Sequence, residues 1–393
     1  MKLSEIADLK NGHAFKSKDY IDYSNTLNCR MSNIRPDGKF DLSYNPKYLP
    51  DHFYDKYESY RLHDDDVIIA MTDMANEPKI LGVPTLVKTN GKNVLLNQRV
   101  GKLEYDRKAV SFGYLNYVLN REIVKNYYKQ FAGGGLQINL GKRDLLSVKI
   151  PLPSLSEQKA IVAKLDRAQR LIDIDKAMLA KYDQLIQSVF LEMFGDLRSN
   201  EKGFEKLTID DISEKVTDGD HKTPNRTETG IMLLSARNIK NGYIDLEEKV
   251  DHIPQEEYDR MINRCLPEFG DILISCSGTI GRVTKVNIHE PFNMVRSVAL
   301  VKPTKEKINS TYLESMLQSE YLQSEMTKSA NTSSQSNLFL GPIKKLPVVL
   351  PPLGLQKEFE KNINRIRVEK SKTENSLLKS EALFSSLVQE VFG

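Results

Sequence analysis

The side chains with the most obvious chemical uses in this chain are few and scattered. The run SGTIGR (277–282) offers backbone N–H groups that suit a phosphate, and it suits a tight hairpin equally well. Asp64, Asp65 and Asp66 place three carboxylates side by side, which is metal chemistry in principle; such a run more commonly forms a solvated turn ahead of a buried strand. NPKY (45–48) falls short of the D/N-P-P-aromatic tetrapeptide of amino-methyltransferases and reads as a loop turn. EQK (157–159) resembles the end of a nuclease motif, yet a parallel stretch later in the chain reads LQK (355–357), so Glu157 is better placed as a helix cap. There is no G-x-x-x-x-G-K-[ST] run, and the three glycines 133–135 follow a helical stretch, where they read as a flexible exit. The histidines lie far apart, and Cys29, Cys265 and Cys276 lack ligand spacing. No nucleophile and no metal site is nominated, so a stand-alone nuclease or methyltransferase is disfavoured.

The composition fits that conclusion. With 393 residues the chain is long enough for two or three domains, and 40% apolar residues supply their cores. No apolar run is long enough to span a bilayer, and no signal peptide is recognised. Together with three unpaired cysteines this predicts a reducing, cytoplasmic setting. The formal charge of +3 permits a nucleic-acid partner without arguing for one.

What organises the chain is a repeat. LPSLSEQK (152–159) is answered by LPPLGLQK (350–357), and Gly195 by Gly393, both at a spacing of 198 (350 minus 152; 393 minus 195). The spacing also joins Tyr114-Leu115 to Tyr312-Leu313, Gln137 to Gln335 and Asn139-Leu140 to Asn337-Leu338. Two copies are too few for a solenoid, so a tandem pair of domains is expected, each followed by a long helix.

Ser154 and Glu157 have capping-box spacing, Gly195 supplies a stop, and the residues between contain no Pro or Gly. At 1.5 Å per residue, a helix of about 40 residues is about 60 Å long. Steps of four and three give a coiled-coil seam through Ile161, Leu165, Ala168, Ile172, Asp175, Leu179, Tyr182, Ile186, Val189 and Met193. The second copy gives Phe359, Ile363, Ile366, Lys370, Thr373, Leu377, Ser380, Phe384, Leu387 and Val391, with a polar middle. Leu171, Leu185, Phe190, Leu383 and Val388 widen the stripe enough for a further partner. The prediction is two seams buried on each other, antiparallel, with a domain at each end. The rival arrangement lays each helix on its own domain.

The globular parts read as α/β or α+β. The domain boundaries are 1–151, 152–195 (first helix), 196–349 and 350–393 (second helix). Strands are expected at 67–71, 85–88, 272–275 and 297–301, and helices at 111–131 and 310–328, with Thr311 and Glu314 as a capping box. Turns are marked by 11–12, 37–38, 90–91, 218–219 and 241–242. The loops are where the copies diverge: NGHAFKSKDY (11–20) against DGDHKTPNRTE (218–228), and MTDMANEPKILG (71–82) against SCSGTIGRVTK (275–285). One scaffold carrying two different binding surfaces is the physical reading.

These phrases together resemble the DNA-specificity subunit of type I restriction–modification systems, over essentially the whole chain. The twin LPSLSEQK and LPPLGLQK openings, the MFG and VFG endings, and DGDHKTP with LLSARNIKNG carry the resemblance. It implies a non-catalytic chain with two target-recognition domains related by a pseudo-two-fold axis and separated by an antiparallel two-helix coiled coil. Each domain would read half of a split double-stranded DNA target, and the coil would set the gap. Two modification subunits would dock and methylate adenine with S-adenosylmethionine. Restriction subunits, if present, would add ATP- and Mg-dependent cleavage. No cofactor is expected on this chain itself.

On that reading, base contacts are sought among side chains with bidentate geometry: Arg35, Asn76, Gln98 and Arg99, then Asn225, Arg237, Asn238 and Arg296. Phosphate contacts are sought among Lys16, Lys18, Lys79, Lys129, Lys142 and Arg143, then Lys222, Arg226, Arg282, Lys328, Lys344 and Lys345. Asn33 and Asn238 occupy equivalent places, which also suits a shared turn. Asp218, Gly219 and His221 either line the groove or shape the loop. Removing the chain from Gln356 onward is expected to harm assembly more than folding. The competing function is a coiled-coil adaptor whose end domains bind proteins rather than DNA.

Overall fold

A computed structural model describes residues 1–36, 38–133, 135–330 and 337–393. Asp37, Gly134 and Gln335, which enter the 37–38 turn, the glycine run and the repeat, lie outside the described residues. The chain divides into two units, residues 1–173 with 377–393, and residues 174–376. Among the described residues no helix is long and apolar enough to cross a membrane.

Each unit is built on an antiparallel four-stranded sheet. In the first unit the order is Ala7–Asn11, Val100–Tyr105, Val67–Ala70, Pro84–Leu86. In the second it is Ser213–Asp218, Val298–Pro303, Ile272–Ser275, Val283–Lys285, the same arrangement. The inner strand Val67–Ala70 and residues 272–274 of its counterpart are apolar because both of their faces are covered. Val67 and Ile69 enter one core while Ile68 and Ala70 enter another. Ile272 and Ile274 likewise part from Leu273. Alternate side chains point to opposite faces of a strand, so a two-sided core demands an unbroken apolar run.

A second sheet lies beyond. In the first unit it runs Tyr48–Leu49, Thr26–Cys29, Asn93–Leu96, Arg61–Leu62, with the central pair parallel. In the second it runs Asp251–Ile253, Ile231–Leu234, Phe292–Met294, again with a parallel pair.

The helical expectations need two corrections. The stretches 111–131 and 310–328 are each two helices, Phe112–Leu119 with Glu122–Lys129, and Ser310–Gln318 with Glu320–Ala330. The break falls at equivalent residues, Arg121 and Ser319, whose ψ values of 146 and 150° are extended. Neither Pro nor Gly marks it in the sequence. Thr311 and Glu314 do not form a capping box. Asn309 caps that helix, accepting from the N–H groups of Thr311 and Tyr312. Glu314 is instead buried, accepting from the Lys285 N–H and pairing with Arg367. The strand at 272–275 stands as expected, and the other three expected strands shift by one or two residues at their ends.

The long helices are Leu155–Phe194 and Leu353–Phe392. Glu157 accepts from the Ser154 N–H at 2.8 Å, and Gly195 at φ 74° ends the first helix, as the capping and stop signals predict. Every predicted seam residue is buried or half-buried. The two helices pack against each other, and antiparallel. In the first unit Lys164, near the start of one helix, meets Glu390, near the end of the other, at 2.9 Å. In the second, Asp183 meets Lys370 at 2.6 Å, which explains the charge in the predicted seam.

Each unit therefore contains the start of one long helix and the end of the other, and the repeated phrases are the contacts that dock them. Gln158 and Gln356 are fully buried. The Gln158 carbonyl accepts from the Ser111 N–H, and its amide donates to Ala109 and Pro153. Gln356 accepts from the Asn309 N–H and donates to Lys307 and Pro351, all equivalent positions. Leu355, which stands where the first copy has Glu157, packs on the second unit's core. The terminal phenylalanines dock on the other copy's domain. Phe392 lies 5.6 Å from the Tyr114 ring and Phe194 lies 4.7 Å from the Tyr312 ring. Phe190 is also core rather than part of a free stripe. Removing the chain from Gln356 would strip Phe359 and Ile363 from one core and Phe392 from the other, so this truncation is expected to cost folding as well as assembly.

Candidate nucleic-acid interface

Four loops, counting the connector itself, converge at the ends of the strands in each unit, and hydrogen bonds fix their meeting point. In the first unit the hub is the connector 97–99. Gln98 donates its N–H to His13, His13 to Leu96, Asn97 to Cys29, and Met71 to Arg99, at 2.9–3.0 Å. This gathers loops 12–20, 30–36 and 71–82 around Gln98 and Arg99. In the second unit the hub is 295–297. Asp220 donates to Met294, Val295 to Leu234, Cys276 to Ser297, and the Ala236 N–H to the Ser297 hydroxyl. This gathers loops 219–228, 235–238 and 276–282 around Arg296.

The close approach depends on one glycine per unit. A Cβ on Gly12 would stand 2.2 Å from the Asn97 carbonyl oxygen, and one on Gly219 would stand 2.1 Å from that of Met294. Any side chain there must push the first loop off the hub.

The loops are held by different chemistry in the two copies. In the first unit His13 packs against Phe15, Tyr57 and Tyr60, with ring centroids 4.5–5.3 Å apart. Asp73 turns inward and accepts from the Leu81 N–H at 3.0 Å and the Met74 N–H at 2.8 Å, organising the 71–82 loop. In the second unit the brace is ionic. Asp218 pairs with Arg264 and with His221, the latter at 2.7 Å. Asp220 pairs with Arg260, which also holds Glu257 at 2.6 Å. Burial alone would raise the Asp220 carboxyl, but the Arg260 guanidinium and neighbouring N–H groups more than offset it and hold the group below 3.8. The folded-state value is the lower one, so this contribution to stability is present above the ordinary aspartate range and is lost as pH falls below that range through the lowered folded-state value. The hydroxyl of Ser275 bridges the Thr279 carbonyl and the Arg282 N–H, so SGTIGR is the hairpin tip between two paired strands.

A model of the type I restriction modification DNA specificity domain matches residues 1–181 and again 201–378. The chain belongs to the type I restriction–modification DNA specificity family. The EcoBI type I specificity subunit of Escherichia coli is 24% identical over all of this chain and 84% of its own length. The EcoKI specificity subunit of Escherichia coli is 21% identical over 99% and 86%. The crystal structure of a type I S subunit from M. genitalium superposes with a TM-score of 0.60 at 14% identity, covering 100% of this chain and 95% of that one. A second chain, from a study of type I complex assembly and conformational transition, gives 0.57 at 17%, covering 100% and 96%. The tandem recognition-domain architecture joined by long helices is thereby the fold of this specificity protein.

Within that fold the predicted contacts divide. Lys16, Lys18, Arg35, Asn76, Lys79, Gln98 and Arg99 lie on the converging loops of the first unit, and Arg35 stacks 3.9 Å above the Tyr44 ring. Lys222, Asn225, Arg226, Arg237, Arg282 and Arg296 lie on those of the second. Lys129, Lys142, Arg143, Lys328, Lys344 and Lys345 lie on or at the end of short helices outside these loops; Lys142 pairs with Asp8, Lys328 with Glu325 and Lys344 with Asp210. Asn238 is corrected. It is fully buried, with its amide committed to Ser235, Asp245 and Lys249. Asn33 does the same for Arg30, Asp41 and Tyr44, so the pair holds a shared turn. Asp218 and Asp220 shape their loop rather than face outward. The sequence reading missed Asp73, Arg260, Arg264 and the His13 cluster. The spacing of Arg260 and Arg264, one helical turn apart and matching Asp218 and Asp220, was the available signal.

Proposed function

We propose that each unit reads one half of a split double-stranded DNA sequence through its four converging loops, with the long helices setting the gap. The observation that carries this reading is the contrast between scaffold and loops. The docking contacts at Gln158 and Gln356 are repeated atom for atom, while the loops at the hub differ in sequence, in bracing and in the side chains they present. Arginine, glutamine and asparagine at Arg35, Asn76, Gln98, Arg99, Asn225, Arg237 and Arg296 have the donor and acceptor patterns that base edges require. Lys16, Lys18, Lys79, Lys222, Arg226 and Arg282 supply phosphate contacts. Helices of 40 residues, about 60 Å, are of the order of the 34 Å between sites one turn apart on one face of B-DNA.

Two modification subunits use this chain as their guide to methylate adenine with S-adenosylmethionine, and restriction subunits add ATP- and Mg-dependent cleavage where they join. Support for docking comes from a shallow, mostly apolar groove in the first unit, where Ala160, Ala163, Ala168, Leu171, Leu383 and Leu387 are joined by Lys164 and Arg167. Leu171 and Leu383 stay 48% and 45% exposed there, so the coil is not fully satisfied by its own pairing.

Mapping of N6-methyladenine in the host genome, with and without this gene, tests the proposal. A split motif lost on deletion is expected. Unchanged methylation, or loss of an unsplit motif, would overturn it. The purified chain alone, given S-adenosylmethionine and DNA, is expected to transfer no methyl group.

A further inference from the structure

One carboxylate in the second unit stands out from the loops it serves. Asp251 opens the strand Asp251–Ile253, and its side chain is 14% exposed. A single oxygen, Oδ2, takes the Arg237 guanidinium at 2.9 Å and Arg226 Nε at 3.2 Å. These arginines come from two different converging loops, 235–238 and 219–228. The second loop is tied to the same strand by the Thr227 N–H, which donates to the His252 carbonyl at 3.0 Å. Both arginine side chains keep about half of their surface, 50% for Arg226 and 41% for Arg237.

We infer that Asp251 is a positioning residue for sequence discrimination by the second unit, holding Arg237 in register for the bases, tying the phosphate-side Arg226 beside it, and neutralising part of the pull of both on phosphate. The inference rests on the proposed DNA reading and deepens it. Two arginines on one carboxylate present fixed N–H directions, and fixed directions are what bidentate base contacts need. The same carboxylate lowers the local positive charge. Sequence-independent affinity comes from cations on phosphates, so a bound anion suppresses it. Without Asp251 the two guanidiniums are free to follow the nearest phosphate. Random DNA then binds more tightly, and the half-site is read less sharply.

The test uses the full chain, in the complex it is purified in, and two readouts. The first is selection from a pool of random-sequence duplexes. The second is salt-dependent binding to a duplex of shuffled sequence. Asp251→Asn is expected to degrade the half-site read by the second unit and leave the other half-site intact as an internal control. On the shuffled duplex it is expected to bind severalfold more tightly, with the log–log salt slope steeper by about 0.9 for each additional phosphate engaged. Asp251→Glu is expected to restore both readouts toward wild type. Asp251→Ser gives the same reading should the Asn variant fail to fold, which a thermal melt reports. If wild type selects a split motif and the neutral variants select the same motif equally sharply with an unchanged slope, Asp251 has no such role. If wild type selects no motif at all, it is the DNA-reading proposal that fails, and this inference with it.

Discussion

Neighbouring residues in this chain have opposite duties, and Arg237 and Asn238 show it most plainly. Arg237 is exposed and ion-paired, while Asn238 is buried with both ends of its amide in use. Asn238→Ala leaves the Ser235 N–H and the Asp245 and Lys249 carbonyls without their partner. A loss of about 1–3 kcal/mol in the second unit's stability is expected, measured as a lower urea midpoint. Arg237→Ala removes an exposed ion pair worth at most about 1 kcal/mol to folding. It is expected to weaken binding to the selected sequence by about 1–3 kcal/mol relative to a shuffled duplex. Equal losses on both duplexes would remove Arg237 from the base-reading set. By residue type alone the two share a role, because both hydrogen-bond bases well. Orientation separates them, and orientation comes from the short turn that Asn238 itself caps.

At the scale of elements, the long helices are held less by their seam than by their ends. The middle of each seam carries Asp175, or Lys370 and Thr373, and is only half-buried. The ends carry a buried glutamine and a terminal phenylalanine. Phe194 is 1% exposed and touches both Tyr312 and Phe359. Phe194→Ala is expected to cost about 3–5 kcal/mol, the range for a buried phenylalanine. Hydrogen exchange should show the loss at the helix end and in the second unit's core, with the first unit's core protected as before. Uniform loss across both units would show that the seam, not the end, holds the helix. The seam was legible because a 3.5-residue repeat is a local pattern. The break at Arg121 and Ser319 was not, because no helix-breaking residue stands there and tertiary packing sets the bend.

For the whole molecule, duplication explains why one chain supports two unlike surfaces. The scaffold contacts recur at a spacing of 198, and the loops between them are free to differ without disturbing the cores. On the proposed reading, the helices set the separation of the half-sites. Deleting one heptad from each helix, in facing positions, keeps the seam register and shortens the pair by about 10 Å at 1.5 Å per residue. The selected sequence is expected to keep both half-sites and change the gap between them. An unchanged gap would dismiss the helices as a spacer.

The sequence by itself determined the duplication, the two long helices, their seam and the places where the copies diverge. These are encoded in spacing along the chain, and the helical repeat turns spacing directly into geometry. Only the tertiary structure decided that each helix ends on the other copy's domain, that Asn238 faces inward, that Asp218 and Asp220 brace a loop, and that Asp251 gathers two arginines. Each of these joins residues brought together by chain crossings rather than by local periodicity, and no pattern within a single segment specifies which side chains such crossings make neighbours.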